Sequence, residues 1–423
     1  MDPSPSIAII GAGPSGLVFA RLLEINGITD YVVFERDESS TPVPGQQGGT
    51  LDLHSTSGQL ALKRAGLFDK FSKDLARWDA ACFRILNSTG DTVVNFTEIG
   101  DRPEIDRLQL RQLLLDSIPA EKIRWGHGVS SIERKANGDT AGNAEICIIH
   151  FRNGTSSTGF RLIVGADGTW SKVRPLLTSA KPVYSGKMYI DSALSHDNPS
   201  YPLATELVGK GNTLALGEEK MIAVQQLGDA SYRVYFGLVV PEDFYPRSYC
   251  ADSDANARTE SMRSRLLSSN ELFANYAPHL KGFIENSEGP FRPWPLYYME
   301  PEQVGWERNA GGGVTLLGDA AHVSTPFAGE GVNCSMLDAV MLLDSIVEYC
   351  GKSVSLAHVE RSSLETALAA YEKDMFVRGQ NLIRESSENG EKLFSKDATT
   401  RLFEIFGGDD GKNATGAADY QQK

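Results

Sequence analysis

The residues of this 423-residue chain best suited to chemistry lie in three widely separated runs. Near the start, Gly11-Ala12-Gly13-Pro14-Ser15-Gly16 has GxGxxG spacing. Glycines at these positions allow a tight turn and let the backbone approach a pyrophosphate, whose charge then meets unpaired N–H groups at a helix start. Glu35, followed by Arg36, stands where an acid accepts hydrogen bonds from ribose hydroxyls. Far downstream, Gly318-Asp319-Ala320-Ala321-His322 leads into Pro326, Gly329, Gly331 and Asn333, a second glycine-rich turn carrying a carboxylate. Between them lies Gly165-Ala166-Asp167-Gly168, followed by Ser171, Val173 and Arg174.

Each run needs elements to hold it. Ile7-Ala8-Ile9-Ile10 reads as a short buried strand breaking into the first turn, and Leu17, Val18, Leu22 and Leu23 continue it as a helix. Tyr31-Val32-Val33-Phe34 is a second strand ending at Glu35, Leu162-Ile163-Val164 a third, and Val314-Thr315-Leu316-Leu317 a fourth ending at Asp319. A nicotinamide dinucleotide needs only the first turn. FAD is longer and must be held again at its ribityl chain and isoalloxazine ring, so the three runs together specify FAD. Asp319 is expected to accept from ribityl hydroxyls, and the helix opened between Pro326 and Asn333 to stabilise negative charge on a reduced ring, with Pro326 and Gly329 shaping its pocket.

These motifs carry a family resemblance over about residues 6–395. The chain resembles the single-component FAD-dependent aromatic hydroxylases, the para-hydroxybenzoate hydroxylase class. Within that class it is most similar to the tetracycline-inactivating monooxygenases, through Gly48-Gly49-Thr50-Leu51-Asp52-Leu53-His54, Pro103-Glu104-Ile105-Asp106-Arg107 with Arg111, and Pro326-Phe327-Ala328-Gly329. The resemblance implies an α/β fold: a glutathione-reductase-type Rossmann-like FAD domain, a β-sheet substrate domain and a C-terminal bracing helix. It assigns Glu35 and Arg36 to the adenosine end, Asp52 and Arg111 to the flavin and ribityl region, and Asp319 to the ribityl chain. It also implies NADPH or NADH as a transient electron donor, since there is no second GxGxxG, and oxygen transfer from a flavin C4a-hydroperoxide.

Arg107 and Arg111, at i and i+4, share a helix face, so one can meet the cofactor while the other supports it. No nucleophilic triad or metal-type spacing is evident, and no covalent catalyst or metal is assigned. His322 reads as a structural part of its turn.

Residues 1–76, 100–176 and 286–355 carry the FAD elements, and 77–99 with 177–285 read as a substrate-binding sheet lying over the flavin with substrate between. Residues 356–406 form a C-terminal helical segment, in which Leu364, Leu368, Tyr371 and Met375 make one stripe. The polar tail 407–423 is expected to be disordered. Candidate substrate residues on the sheet are Asp191, Thr213, Gln225, Tyr235 and Gly237. Where the tetracycline-inactivating enzymes carry Gln, Arg and His, this chain has Asp191, Thr213 and Tyr235, and Gly45-Gln46-Gln47 replaces an Arg before the Gly-Gly pair. A polycyclic aromatic, polyketide or alkaloid-type small molecule is therefore expected, with O2 as co-substrate.

Composition bounds the rest. A net charge of −14 excludes the basic patch that nucleic acid or an anionic membrane demands. Five scattered cysteines suggest reduced thiols and a cytoplasmic setting, and a monomer is expected. The start, Met1-Asp2-Pro3-Ser4-Pro5-Ser6, lacks the basic region of a signal peptide, and the most apolar helix carries Asp338, Asp344 and Glu348. Two other readings were weighed. A flavin-dependent halogenase would carry Trp-x-Trp-x-Ile-Pro, which Phe291-Arg292-Pro293-Trp294-Pro295 does not match. An FAD oxidase or dehydrogenase of a similar small molecule is the alternative to the monooxygenase.

Overall fold

The computed structural model describes residues 5–42, 48–80, 82–97, 101–136, 145–245, 255–308, 312–352 and 355–401. The Gly45-Gln46-Gln47 stretch and the 407–423 tail lie outside them. In chain order the strands are β1 (Ile7–Ile10), β2 (Tyr31–Phe34), β3 (Thr50–Asp52), β4 (Cys82–Leu86), β5 (Thr92–Thr97), β6 (Glu104–Asp106), β7 (Ile123–Arg124), β8 (Val129–Ala136), β9 (Glu145–Phe151), β10 (Ser156–Thr158), β11 (Leu162–Gly165), β12 (Val183–Leu194), β13 (Asn212–Gly217), β14 (Lys220–Gln226), β15 (Tyr232–Val239), β16 (Glu288–Tyr298) and β17 (Val314–Leu316). The helices are α1 (Pro14–Ile25), α2 (Gly58–Arg64), α3 (Phe68–Lys70), α4 (Arg107–Leu115), α5 (Tyr201–Leu207), α6 (Ala255–Ser268), α7 (Pro278–Glu285), α8 (Asp319–His322), α9 (Gly331–Cys350) and α10 (Arg361–Leu393).

The chain divides into two units, one of residues 1–78, 101–185 and 297–388, the other of residues 79–100, 186–296 and onward from 389. In the first, five parallel strands lie in the order β17-β11-β1-β2-β7. Ile7 is level with Leu162 on one side and Tyr31 on the other, so three loops that follow strands open at the same edge of the sheet. Both faces of these strands are covered, which is why β1, β2 and β11 are apolar throughout instead of alternating. Pro14 starts α1, where a missing N–H costs nothing. Helix α9 packs along α1, burying Met336, Val340 and Leu343 with Leu17, Phe19 and Leu23 in one core. A ribbon of β3 and β6 and a small sheet in the order β10-β9-β8 complete the unit.

The second unit is a seven-stranded sheet, β16-β12-β15-β14-β13-β4-β5. One face carries Ile222, Val224, Tyr232, Val234 and Phe236 against Met262 and Leu266 of α6 and Leu280 and Phe283 of α7. Strand alternation sends every second residue to the opposite face.

The structure differs from the expected boundaries in three places. Residues up to Leu296 belong to the sheet unit, because β16 joins that sheet as an edge strand beside β12. The stretch from 177 to Ser185 and most of α10 belong to the first unit instead. The expected α10 stripe is buried there, and the Tyr371 hydroxyl donates to the Leu316 carbonyl at 2.8 Å.

Candidate functional site

The glycines of the first turn divide by what surrounds them. A Cβ on Gly16 would lie 2.2 Å from the Gly11 carbonyl oxygen, and one on Gly11 2.3 Å from that of Ala166. These two make the backbone crossing of β1, α1 and the β11 loop possible. Gly11 also has φ +108°, which other residues rarely adopt. Gly13 has open space where a side chain would stand. That space, beside the first turn of α1, is the cradle a pyrophosphate needs. The first turn of α1 holds no acidic side chain and no side-chain cap, and the same is true of α9. Both helices leave their N–H groups to a ligand, and Gly331 at the start of α9 is open in the same way.

Glu35 is buried at the end of β2. Its Oε2 accepts from Ala12 N at 2.6 Å, and its Oε1 from the N–H groups of Arg36 and Asp37 at 2.7 and 3.0 Å. The carboxylate is thereby fixed beside the glycine turn, with Arg36 exposed next to it. Arg111 lies at this end too. Its Nη2 donates to Asp37 at 2.9 Å and its Nε to the Ala12 carbonyl at 3.3 Å. Helix α4 thus brings its more C-terminal arginine to the glycine turn and the loop after β2.

Arg107, one turn earlier, lies close enough to Asp319 to favour its ionised form. Asp319 is exposed to solvent, but the protein packed around it pushes its pKa up against the pull of His322, Arg107 and Arg174. An exposed carboxylate with protein packed around it suits hydroxyl donors. Asp167 has the same character. Burial raises its pKa, Oδ2 accepts from Lys172 N at 2.6 Å, and buried Oδ1 has no hydrogen-bond partner. Arg174, 4% exposed, ties the two turns by donating to the carbonyls of Ala320, Thr169 and Asp319 at 2.7, 2.9 and 3.0 Å.

At the start of α9, Asp52 accepts from His54 Nε2 at 2.7 Å, while His54 Nδ1 meets Glu330 at 2.5 Å. Burial opposes a charge on His54, but the two carboxylates outweigh it and raise its pKa to about 9. The imidazolium links the β3 loop to α9. The Asn333 side chain, in the first turn of α9, is 0% exposed and spent on protein. Oδ1 accepts from the N–H groups of His54 and Gly58, and Nδ2 donates to the carbonyls of Asp52 and Gly329. Exposed Pro326 opens the short turn that ends at Gly329, where φ is +70° and the space for a Cβ borders the Asp52 carboxylate at 3.8 Å.

His322 is buried and bonds Asp338 at 2.7 Å. Burial disfavours its charge, yet Asp338 raises its pKa well above the ordinary histidine range. With Cys334 these residues bring three donor atoms within 4.8 Å of one another, a cluster their spacing in sequence does not announce. Arg378, 2.9 Å from Asp338, already supplies the cluster with positive charge. It anchors α8 to α9 and α10.

On the sheet unit, Asp191 lies opposite Tyr235, Ala223 opposite Tyr235, and Gln225 opposite Arg233, so Asp191, Gln225 and Tyr235 share the face turned from α6 and α7. Two candidates are corrected. Thr213 is level with Val224 on the other face, buried, and donates to the Leu207 carbonyl at 2.9 Å. Gly237 shares the Tyr235 face but is covered. A Cβ there would come within 3.0 Å of Met221, Tyr189 and Phe394. Arg233, passed over in the sequence, pairs with Asp191 at 3.3 Å. Its signal was its position two residues before Tyr235 in the alternating run Tyr-Arg-Val-Tyr-Phe.

The residues fit FAD: two uncapped helix starts, a cradle at Gly13, and acids at Glu35, Asp167 and Asp319 follow one another through the first unit. Comparison with known proteins agrees. The family described as FAD binding domain matches residues 5–196 and 297–385. Monooxygenase asqM of Emericella nidulans is 31% identical, covering 92% of this chain and 97% of its own. Among solved structures, Klebsiella pneumoniae HpxO complexed with FAD and uric acid has a TM-score of 0.72 at 22% identity, covering 96% of this chain and 93% of that one. Tetracycline destructase Tet(55) has a TM-score of 0.68 at 16% identity, covering 96% of each. The chain belongs to the FAD binding domain family and is an FAD-dependent monooxygenase of the para-hydroxybenzoate hydroxylase type. Among the described residues no helix is long and apolar enough to cross a membrane.

Proposed function

We propose that this enzyme takes electrons from NADPH or NADH and inserts one atom of O2 into a polycyclic aromatic, polyketide or alkaloid-type small molecule. Bound FAD supplies the redox chemistry and the activation of oxygen. The protein binds, orients and shields. The uncapped start of α9 offers N–H groups to negative charge on the ring, Asp319 and Asp167 offer acceptors to hydroxyls, and Glu35 offers its carboxylate to the ribose. The observation that carries the substrate reading is the polar row Asp191, Gln225 and Tyr235 on one face of the sheet, flanked by Tyr189 and Trp294, a surface suited to a flat, oxygenated ring system.

The test is turnover under labelled oxygen gas with NADPH or NADH and a panel of such compounds. Product should gain one labelled atom, with one nicotinamide consumed per product. Tyr235→Phe and Gln225→Ala should raise peroxide per product while FAD content stays unchanged. Unlabelled product with one peroxide per turnover would leave an oxidase instead.

A further inference from the structure

The Asp191 and Arg233 side chains are poorly matched to each other for a buried pair. Their side chains are 4% and 16% exposed, and Arg233 Nη1 lies 3.3 Å from Asp191 Oδ1. Beyond that ion-pair contact, neither Asp191 Oδ1 nor Arg233 Nε has a hydrogen-bond partner. Trp294 Nε1 approaches Asp191 Oδ2 at 3.4 Å and steadies that oxygen, and the positive charge of Arg292 also acts on the carboxylate. A buried donor and a buried acceptor left unmade each cost free energy, which a ligand completing both would recover. The pair is neutral as a whole. An anionic ligand would meet Asp191 and a cationic one Arg233, so the ligand that fits is uncharged and offers an acceptor and a donor side by side.

Building on the reading that this face binds substrate, we propose that Arg233 and Asp191 recognise a cis-amide edge. The substrate is then a lactam or imide fused to an aromatic system, its carbonyl oxygen accepting from Arg233 and its N–H donating to Asp191. A phenol presents one oxygen and completes only half of the pair. An N-alkylated amide loses the donor and leaves the carboxylate oxygen stranded. Gln225, opposite Arg233, and Tyr235, opposite Asp191, border the pair along the same face. Arg233 is thus a specificity-determining residue, and the chemistry it selects is set by a fork of donors that lysine does not reproduce.

The test is equilibrium binding to the oxidised FAD holoenzyme, without nicotinamide, followed by tryptophan quenching and flavin absorbance. The probes are isoquinolin-1-one, its N-methyl derivative and 1-naphthol. Wild-type protein should bind isoquinolin-1-one at least tenfold more tightly than either analogue. Arg233→Gln should abolish that preference, and so should Arg233→Lys, which keeps the charge opposite Asp191 and guards against a folding defect. Melting temperature and FAD content of both variants are measured alongside. Equal affinities for the three probes, no binding of any of them, or a preference that survives in both variants would overturn the proposal. Because no turnover is involved, failure here leaves the labelled-oxygen result standing, and failure of that result leaves this one readable.

Discussion

The Asn333 side-chain amide donates to the main-chain carbonyl of Asp52 at 2.9 Å, joining the first turn of α9 to a strand 281 residues earlier in the chain. Because Asn333 Oδ1 also receives the N–H groups of His54 and Gly58, one buried amide fixes the β3 loop against the helix start. Asn333→Ala should therefore cost about 2–4 kcal/mol of stability by removing the side-chain partner of four backbone groups, and should weaken FAD binding indirectly. Asn333→Asp keeps the acceptor and should be the milder change. Thermal melts of apo and holo forms check both, and an alanine variant melting with wild type would refute the linkage.

Asp319 is exposed to solvent, so its role should register in cofactor affinity more than in fold. Asp319→Ala should weaken FAD binding by about 1.5–3 kcal/mol, the range for a charge-assisted hydrogen bond. Removing an acid whose pKa is raised by burial should leave the apoprotein no less stable. Titration of both apoproteins with FAD measures the first effect and chemical denaturation the second.

Gly13 and Gly16 belong to one motif but should fail differently. Gly16→Ala forces a methyl to 2.2 Å from a carbonyl oxygen and should destabilise the apoprotein by more than about 3 kcal/mol. Gly13→Ala enters open space and should leave the apoprotein melt unchanged while reducing FAD retention. Equal loss of stability in both would contradict the division.

His54 makes stability depend on alkaline pH. Its folded pKa, about 9, is above the unfolded value near 6.5, so its stabilisation is complete below about pH 6.5 and is lost as pH rises through 9. The amount is of the order of 2–3 kcal/mol. Wild type should lose melting temperature over that window more steeply than His54→Gln, and parallel curves would exclude the effect.

What could be read from the sequence follows from range. The turns at Gly11 and Asp319 and the strands that carry them are local patterns, a short apolar run broken by glycine, and they lie where those patterns put them. The face of a strand is equally local once its register is known. Thr213 was misjudged because a residue carried over by likeness says nothing of alternation, whereas its neighbour Ala215, buried in the helix-side core, does. The protein partners of Asn333 and Arg111 are illegible in the sequence for another reason. A polar side chain near a glycine turn has the same appearance whether it turns to a ligand or to protein, and its partners, Gly58 and Asp37, come from distant segments. The Asp191–Arg233 pair was hidden likewise, joined only across a strand pairing.

The strand order β17-β11-β1-β2-β7 also governs how the protein must be made. When β1 and β2 leave the ribosome, the strand that pairs with the other edge of β1 is about 150 residues away, and the one beyond it twice as far. For much of synthesis an apolar strand edge waits without its neighbour, a state prone to wrong pairing. Chains cut before β17 should therefore accumulate as insoluble material without flavin, while growth in excess riboflavin should raise the yield of the full-length protein alone.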